Sequence, residues 1–155
     1  MKFLYVFLLL IIKEHSALDF EVHTLQNKTI HISQEKLDWY EAISTCEDNG
    51  LEMVTIKSKE EDRAIHQVIK DMNSEILIGG FRFDREDIWR WDNDRTALDY
   101  TNWDSGEPKQ ESSDEPRIYC IFMKPSDGHW KSKWCAEEAI FICQNSDENS
   151  KDLEI

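Results

Sequence analysis

The stretch Tyr100–Lys109, Tyr-Thr-Asn-Trp-Asp-Ser-Gly-Glu-Pro-Lys, decides how the rest of the chain is read. It sets a large aromatic, Trp103, ahead of a turn signal at Ser105-Gly106, then a carboxylate, Glu107, ahead of a proline. Pro108 fixes its own φ at about −65° and restricts the residue before it. A glutamate held this way on a surface loop is well placed to aim its carboxylate at a ligand. The plainer alternative is a polar turn behind a buried tryptophan. The stretch lies in a span from Asp92 to Pro116 that shows little regularity and is rich in Asp, Asn, Ser, Gly and Glu. A loop this long inside a compact domain is uncommon and often functional.

Upstream of this loop the sequence reads as helix. Trp39, Ala42, Ile43 and Cys46 fall at i, i+3, i+4 and i+7, one face of an amphipathic helix, with Ser33 as its expected N-cap and Asn49-Gly50 as its stop. Ser58-Lys-Glu-Glu61 is a capping-box pattern opening a second helix, whose apolar stripe is Ile65, Val68, Ile69 and Met72. His66 lies off that stripe and is expected in solvent. Ahead of the helices, Asp19 to Lys28 reads as an extended segment and Thr29–Ile32 as a short strand. Ile76–Gly80 and Trp89–Trp91 read as strands, and Arg117–Met123, Gly128–Lys133 and Ala139–Gln144 as three more. Strand, helix, helix and then strands around a long loop describe an α+β domain with an antiparallel sheet.

Residues 1–17 read as a signal peptide: Lys2, then an apolar run Phe3–Ile12 too short to span a membrane, then small residues at Ser16 and Ala17. Residues 18–144 form the expected domain and 145–155 an acidic disordered tail. The net charge of −14 repels nucleic acid and anionic membranes. Export makes two disulfides the expectation for Cys46, Cys120, Cys135 and Cys143, and the sequence alone leaves three pairings open. Asn27-Lys28-Thr29 is a glycosylation sequon, which marks the chain as a candidate glycoprotein.

Taken together, the motifs resemble the C-type lectin-like domain family from about Phe20 to Gln144. The matching residues are Trp39–Ala42 leading to Cys46, Leu51–Ser58, Ile78-Gly79, Trp89–Trp91, Tyr100–Trp103 with Gly106–Pro108, Cys120, Trp130, Cys135 and Phe141–Cys143. Each is weak singly; all of them in order, with four cysteines in register, is specific. The short secreted layout is similar to small invertebrate lectins. The resemblance implies a fold of two helices, antiparallel sheets, a long irregular loop, and disulfides Cys46–Cys143 and Cys120–Cys135.

In sugar-binding members of the family, calcium holds the sugar through a Glu-Pro-Asn loop, an acid before a cysteine, and an Asn-Asp pair after a tryptophan. Here Glu107 and Pro108 match, but Lys109 replaces the amide, Ile118 and Tyr119 precede Cys120, and Lys131-Ser132 follow Trp130. A lysine offers no lone pair to a cation. At a second calcium site of the family Glu86 matches, but Arg82 stands where an aspartate is expected. The expectation is therefore no metal cofactor. Calcium binding is retained as the alternative, because Asp114 or Glu115 of the longer loop can reach in. Glu107, Lys109, Lys131 and Ser132 are the candidate ligand-binding residues. Lys109 and Lys131 are expected beside Glu107, an internal salt bridge standing in for the dication.

Three function classes follow. A secreted carbohydrate-recognition protein with an eroded, calcium-independent site is the leading expectation, its partner a glycan or glycoprotein. A metal-independent protein-binding module of the same fold is the alternative, in a defence or reproductive secretion. An enzyme is not expected: none of His15, His23, His31, His66 and His129 lies in a nucleophile motif. No nucleic acid and no membrane span enter any of these readings.

Overall fold

The computed structural model describes residues 19–109 and 116–146. The expected signal peptide, Asp114, Glu115 and the tail beyond residue 146 lie outside them. The elements in chain order are β1 (Phe20–Thr24), β2 (Thr29–Ser33), α1 (Trp39–Asp48), β3 (Leu51–Met53), α2 (Lys59–Ile69), β4 (Ile76–Phe83), β5 (Arg90–Trp91), β6 (Ile118–Met123), β7 (Trp130–Trp134) and β8 (Ile140–Asn145).

The sheet runs β1-β2-β8-β4-β6-β7, with β3 added to β8 and β5 to β4. The expected sheet is antiparallel. The structure differs in one pairing, because β4 and β8 run parallel through Ile76–Ile140 and Leu77–Phe141. Parallel neighbours need a long crossover, and here the whole span from β5 to β7 supplies it. The expected extended segment at the start is a true strand, β1, paired in register with β2. β8 reaches one residue past the expected domain end, with Asn145 opposite Leu51.

Each helix begins where a side chain caps it. Asp38, not Ser33, is the N-cap of α1, accepting from the Glu41 N–H at 3.0 Å. Ser33 is consumed by β2: it is buried, and its hydroxyl donates to the Glu35 carbonyl and accepts from the Phe141 N–H. Asn49 caps the other end of α1, and Gly50 follows at φ +70°, as a left-handed stop requires. Ser58 caps α2 by accepting from the Glu61 N–H. The Glu61 carboxylate accepts from the Lys57 N–H, one residue outside the usual box.

The core falls into two clusters. One gathers Ile56, Ile65, Ile69, Ile78, Ile121 and Trp130 between α2 and the sheet. The other gathers Trp39, Ala42, Phe81, Phe122 and Phe141 around both disulfides. These join Cys46 to Cys143 and Cys120 to Cys135, the pairing the resemblance implies. The first ties the buried face of α1 to β8. The second ties β6 to the residue just past β7.

Candidate functional site: the Glu107 loop and strand β7

One edge of β7 pairs with β6, and Asn102–Lys109 covers the other. The Trp130 N–H donates to the Asn102 carbonyl, and the Asp104 N–H donates to the Trp130 carbonyl, each at 2.8 Å. Trp103 packs on Trp130 and Trp89, so it is scaffold, as is the fully buried Trp130.

The anchor beneath this loop is a residue that pattern reading passes over. Asp62, on α2, is 3 % exposed. Its carboxylate accepts from the Trp130 indole at 2.8 Å, from the Asn102 amide at 2.8 Å and from the Tyr100 hydroxyl. Burial raises its pKa above the ordinary carboxylate value, against the lowering effect of those three donors. The only signal in the sequence is position: Asp62 precedes the core residue Ile65 by three, which puts it on the inward face of α2. His66, expected in solvent, is half-buried. Its Nε2 lies 2.7 Å from the Pro125 carbonyl, and its ring backs onto Gly128.

Glu107 and Ser132 come together. Glu107 Oε2 accepts from the Ser132 hydroxyl at 2.7 Å, the Ser132 N–H at 3.0 Å and the Lys109 N–H at 3.1 Å. The Lys109 N–H also lies 2.8 Å from the Ser132 hydroxyl. Lys109 therefore contributes through its backbone.

The expected Glu107–Lys131 salt bridge does not form. Lys131 Nζ sits 3.2 Å from Glu75, which also pairs with Lys133. The reason is the period of a strand. Successive side chains on β7 point to opposite faces, so Ser132 faces Glu107 while Lys131 and Lys133 face Glu75. A lysine does sit between carboxylates here, but it is Lys124, 2.7 Å from both Asp104 and Asp127. Asp104, Asp127 and His129 bring ligand atoms within 4.8 Å of one another, and that ammonium already bridges the two acids. At the position of the second family site, Arg82 is 7 % exposed, stacked 5.5 Å from the Trp89 ring and 5.2 Å from the Tyr119 ring. Its NH1 donates to the Glu86 carbonyl at 2.7 Å. A guanidinium thus fills that place. Asn27 is exposed on the β1–β2 turn.

A sheet with two flanking helices, two disulfides in this pairing and a long loop packed on the edge of β7 define a recognition domain of the lectin type. The chain belongs to the Lectin C-type domain family, which it matches over residues 35–145. It is 28 % identical to human C-type mannose receptor 2 over 112 residues, covering 72 % of this chain and 7 % of that protein. It is likewise 28 % identical to human secretory phospholipase A2 receptor over 124 residues, 79 % of this chain and 8 % of that protein. The chain therefore spans under a tenth of these curated relatives. Among solved structures, the mouse scavenger receptor C-type lectin carbohydrate-recognition domain superposes with a TM-score of 0.68 at 28 % identity, covering 82 % of this chain and 94 % of that one. Human lithostathine gives 0.68 at 20 % identity, a likeness of fold, covering 81 % and 88 %. The disulfides are compatible with an extracellular domain, and among the described residues no helix is long and apolar enough to cross a membrane.

Proposed function

We propose that this is a secreted carbohydrate-recognition protein whose Glu107 loop is shaped by hydrogen bonds, so that recognition does not require calcium. Secretion follows from the signal-like start of the sequence, and Asn27 is an accessible position for a glycan. Sugar recognition is supported by the family and by the likeness to a carbohydrate-recognition domain. Calcium independence rests on one observation: a single oxygen of Glu107 already receives three protein donors. Calcium takes six to eight oxygen ligands, several of them carboxylate. Of the residues described around Glu107, two present N–H and hydroxyl donors to it, and the neighbouring Lys131 is cationic. This set does not fit calcium. No catalytic role is proposed.

The test is a glycan array probed in calcium and again in chelator. The same glycans bound with the same intensity in both is the expected result. Binding abolished by chelator would overturn the proposal.

A second reading, a protein-binding module, has its own observation. Tyr40, Phe83 and Trp134 are 52 %, 43 % and 45 % exposed and line one groove of about 620 Å³ with Arg117. Capture of a protein from the native secretion, unchanged by free sugar and chelator and lost in Trp134→Ala, would favour it.

A further inference from the structure

One cleft of the described residues shares none of its lining with the Glu107 loop. It has a volume of about 720 Å³ and lies between α1, β3 and the turn after β5. Two residues of its lining each carry a buried polar atom without a hydrogen-bond partner: the indole Nε1 of Trp39 and Oδ1 of Asp92. Trp39 is 5 % exposed, and the Asp92 side chain 10 %. Buried polar groups are normally paired, and an orphan needs an explanation. Here a donor and an acceptor are orphaned behind the wall of one cleft.

The charge around them is unbalanced. Glu47 and Glu52 join Asp92 in the lining, and Arg95 is the sole cation among the described lining residues. The Arg95 guanidinium comes within 3.3 Å of Asp92 Oδ1 without hydrogen-bond geometry, is 62 % exposed, and stacks 5.1 Å from the Phe81 ring. Two negative charges are left over. Arg95 also holds φ +59°, left-handed and costly for a side-chain residue, and such strain gathers at sites of function. Between the polar groups the wall is apolar, formed by Ile43 and Met53.

The geometry points to a binding site for a lysine or arginine side chain of a partner peptide. The cationic head pairs with Asp92, Glu47 and Glu52. The methylene stem lies on the apolar wall, as long basic side chains do. The apolar wall favours a basic side chain over an amino sugar, whose amine carries no such stem. The overall charge of −14 speeds encounter with a basic partner. The site does not depend on what the Glu107 loop binds.

The test uses the disulfide-bonded, ¹⁵N-labelled protein titrated with N-acetyl-arginine N-methylamide, followed on the Trp39 indole N–H resonance. The indole resonance is expected to shift and saturate. The neutral citrulline analogue should bind on the order of tenfold more weakly, and Asp92→Asn and Glu47→Gln should weaken the arginine probe by a similar factor. Glu47 is exposed on α1, so its variant keeps the test open if Asp92→Asn does not fold. An unshifted indole, equal binding of the citrulline analogue, or indifference to the folded variants would overturn the proposal. So would saturable binding of glucosamine at the same residues without binding of the arginine probe.

Discussion

At the residue scale, the buried Asp62 and the half-buried Glu75 show how two acids acquire opposite pH behaviour. Asp62 is raised above the ordinary 3.8 chiefly by burial. Its folded form holds a proton more tightly than the unfolded chain. The stability it contributes is therefore full below 3.8 and lost as pH rises through its folded value. For Glu75 burial also acts upward, but hydrogen bonds and charge from Lys133 and Lys131 outweigh it and lower the pKa below 4.5. Its contribution is present above 4.5 and lost as pH falls through the depressed value. Urea midpoints at stepped pH should therefore diverge. As pH falls, wild type gains on Asp62→Asn and loses its lead over Glu75→Gln; parallel curves would refute the assignment. Tyr100 provides a spectroscopic check. Burial first, then the charge and hydrogen bond of Asp62, push its phenol up to about 12. Ultraviolet titration should find that value in wild type and a lower one in Asp62→Asn.

At the scale of elements, β7 and the loop on its edge act as one unit. Ser132→Ala removes the hydroxyl from Glu107 and leaves the backbone donors, so it should cost about 0.5–1.5 kcal/mol by urea denaturation, with chelator changing neither protein. A variant as stable as wild type would show that the hydroxyl does not hold the loop. The turn before β7 is equally constrained. Gly128 has φ +77°, and a Cβ there would stand 2.9 Å from the ring of His66, itself held by Pro125. Gly128→Ala should therefore destabilise by about 1 kcal/mol or more, whereas the same change at Gly50, where a Cβ would meet nothing within 4 Å, incurs only the left-handed backbone strain. Equal losses at the two positions would remove His66 from the account.

For the molecule as a whole, the two disulfides close loops of very different length. Cys46 and Cys143 are 97 residues apart, Cys120 and Cys135 only 15. In the chain-entropy account, the long closure contributes about 4.7 kcal/mol and the short one about 3 kcal/mol. Paired Cys→Ala variants compared by denaturant unfolding should follow that order, and a larger loss from the short loop would contradict it.

Much of this was legible in the residues. Trp39, Ala42, Ile43 and Cys46 announce α1 by spacing, because one helical face must be apolar to pack. Ser58 announces α2, because a helix start leaves N–H groups in need of an acceptor. The family motifs carried the disulfide pairing and the Glu107-Pro108 loop. What the sequence could not show depends on which distant segments meet. Ser33 has the chemistry of a cap, but β8 claims it. Asp62 looks like one more surface acid until Trp130 and Asn102 arrive from 68 and 40 residues away. Lys131 and Ser132 are neighbours in the chain; both stood as candidate ligand-binding residues, and Lys131 as the expected ion-pair partner of Glu107. Strand geometry sends them to opposite faces, and that alternation, together with the loop closing on the edge of β7, decided that Glu107 is held by a hydroxyl and two backbone amides rather than by an ammonium. Local periodicity and capping are written in the chain, whereas partners brought together by the sheet exist only once it has folded.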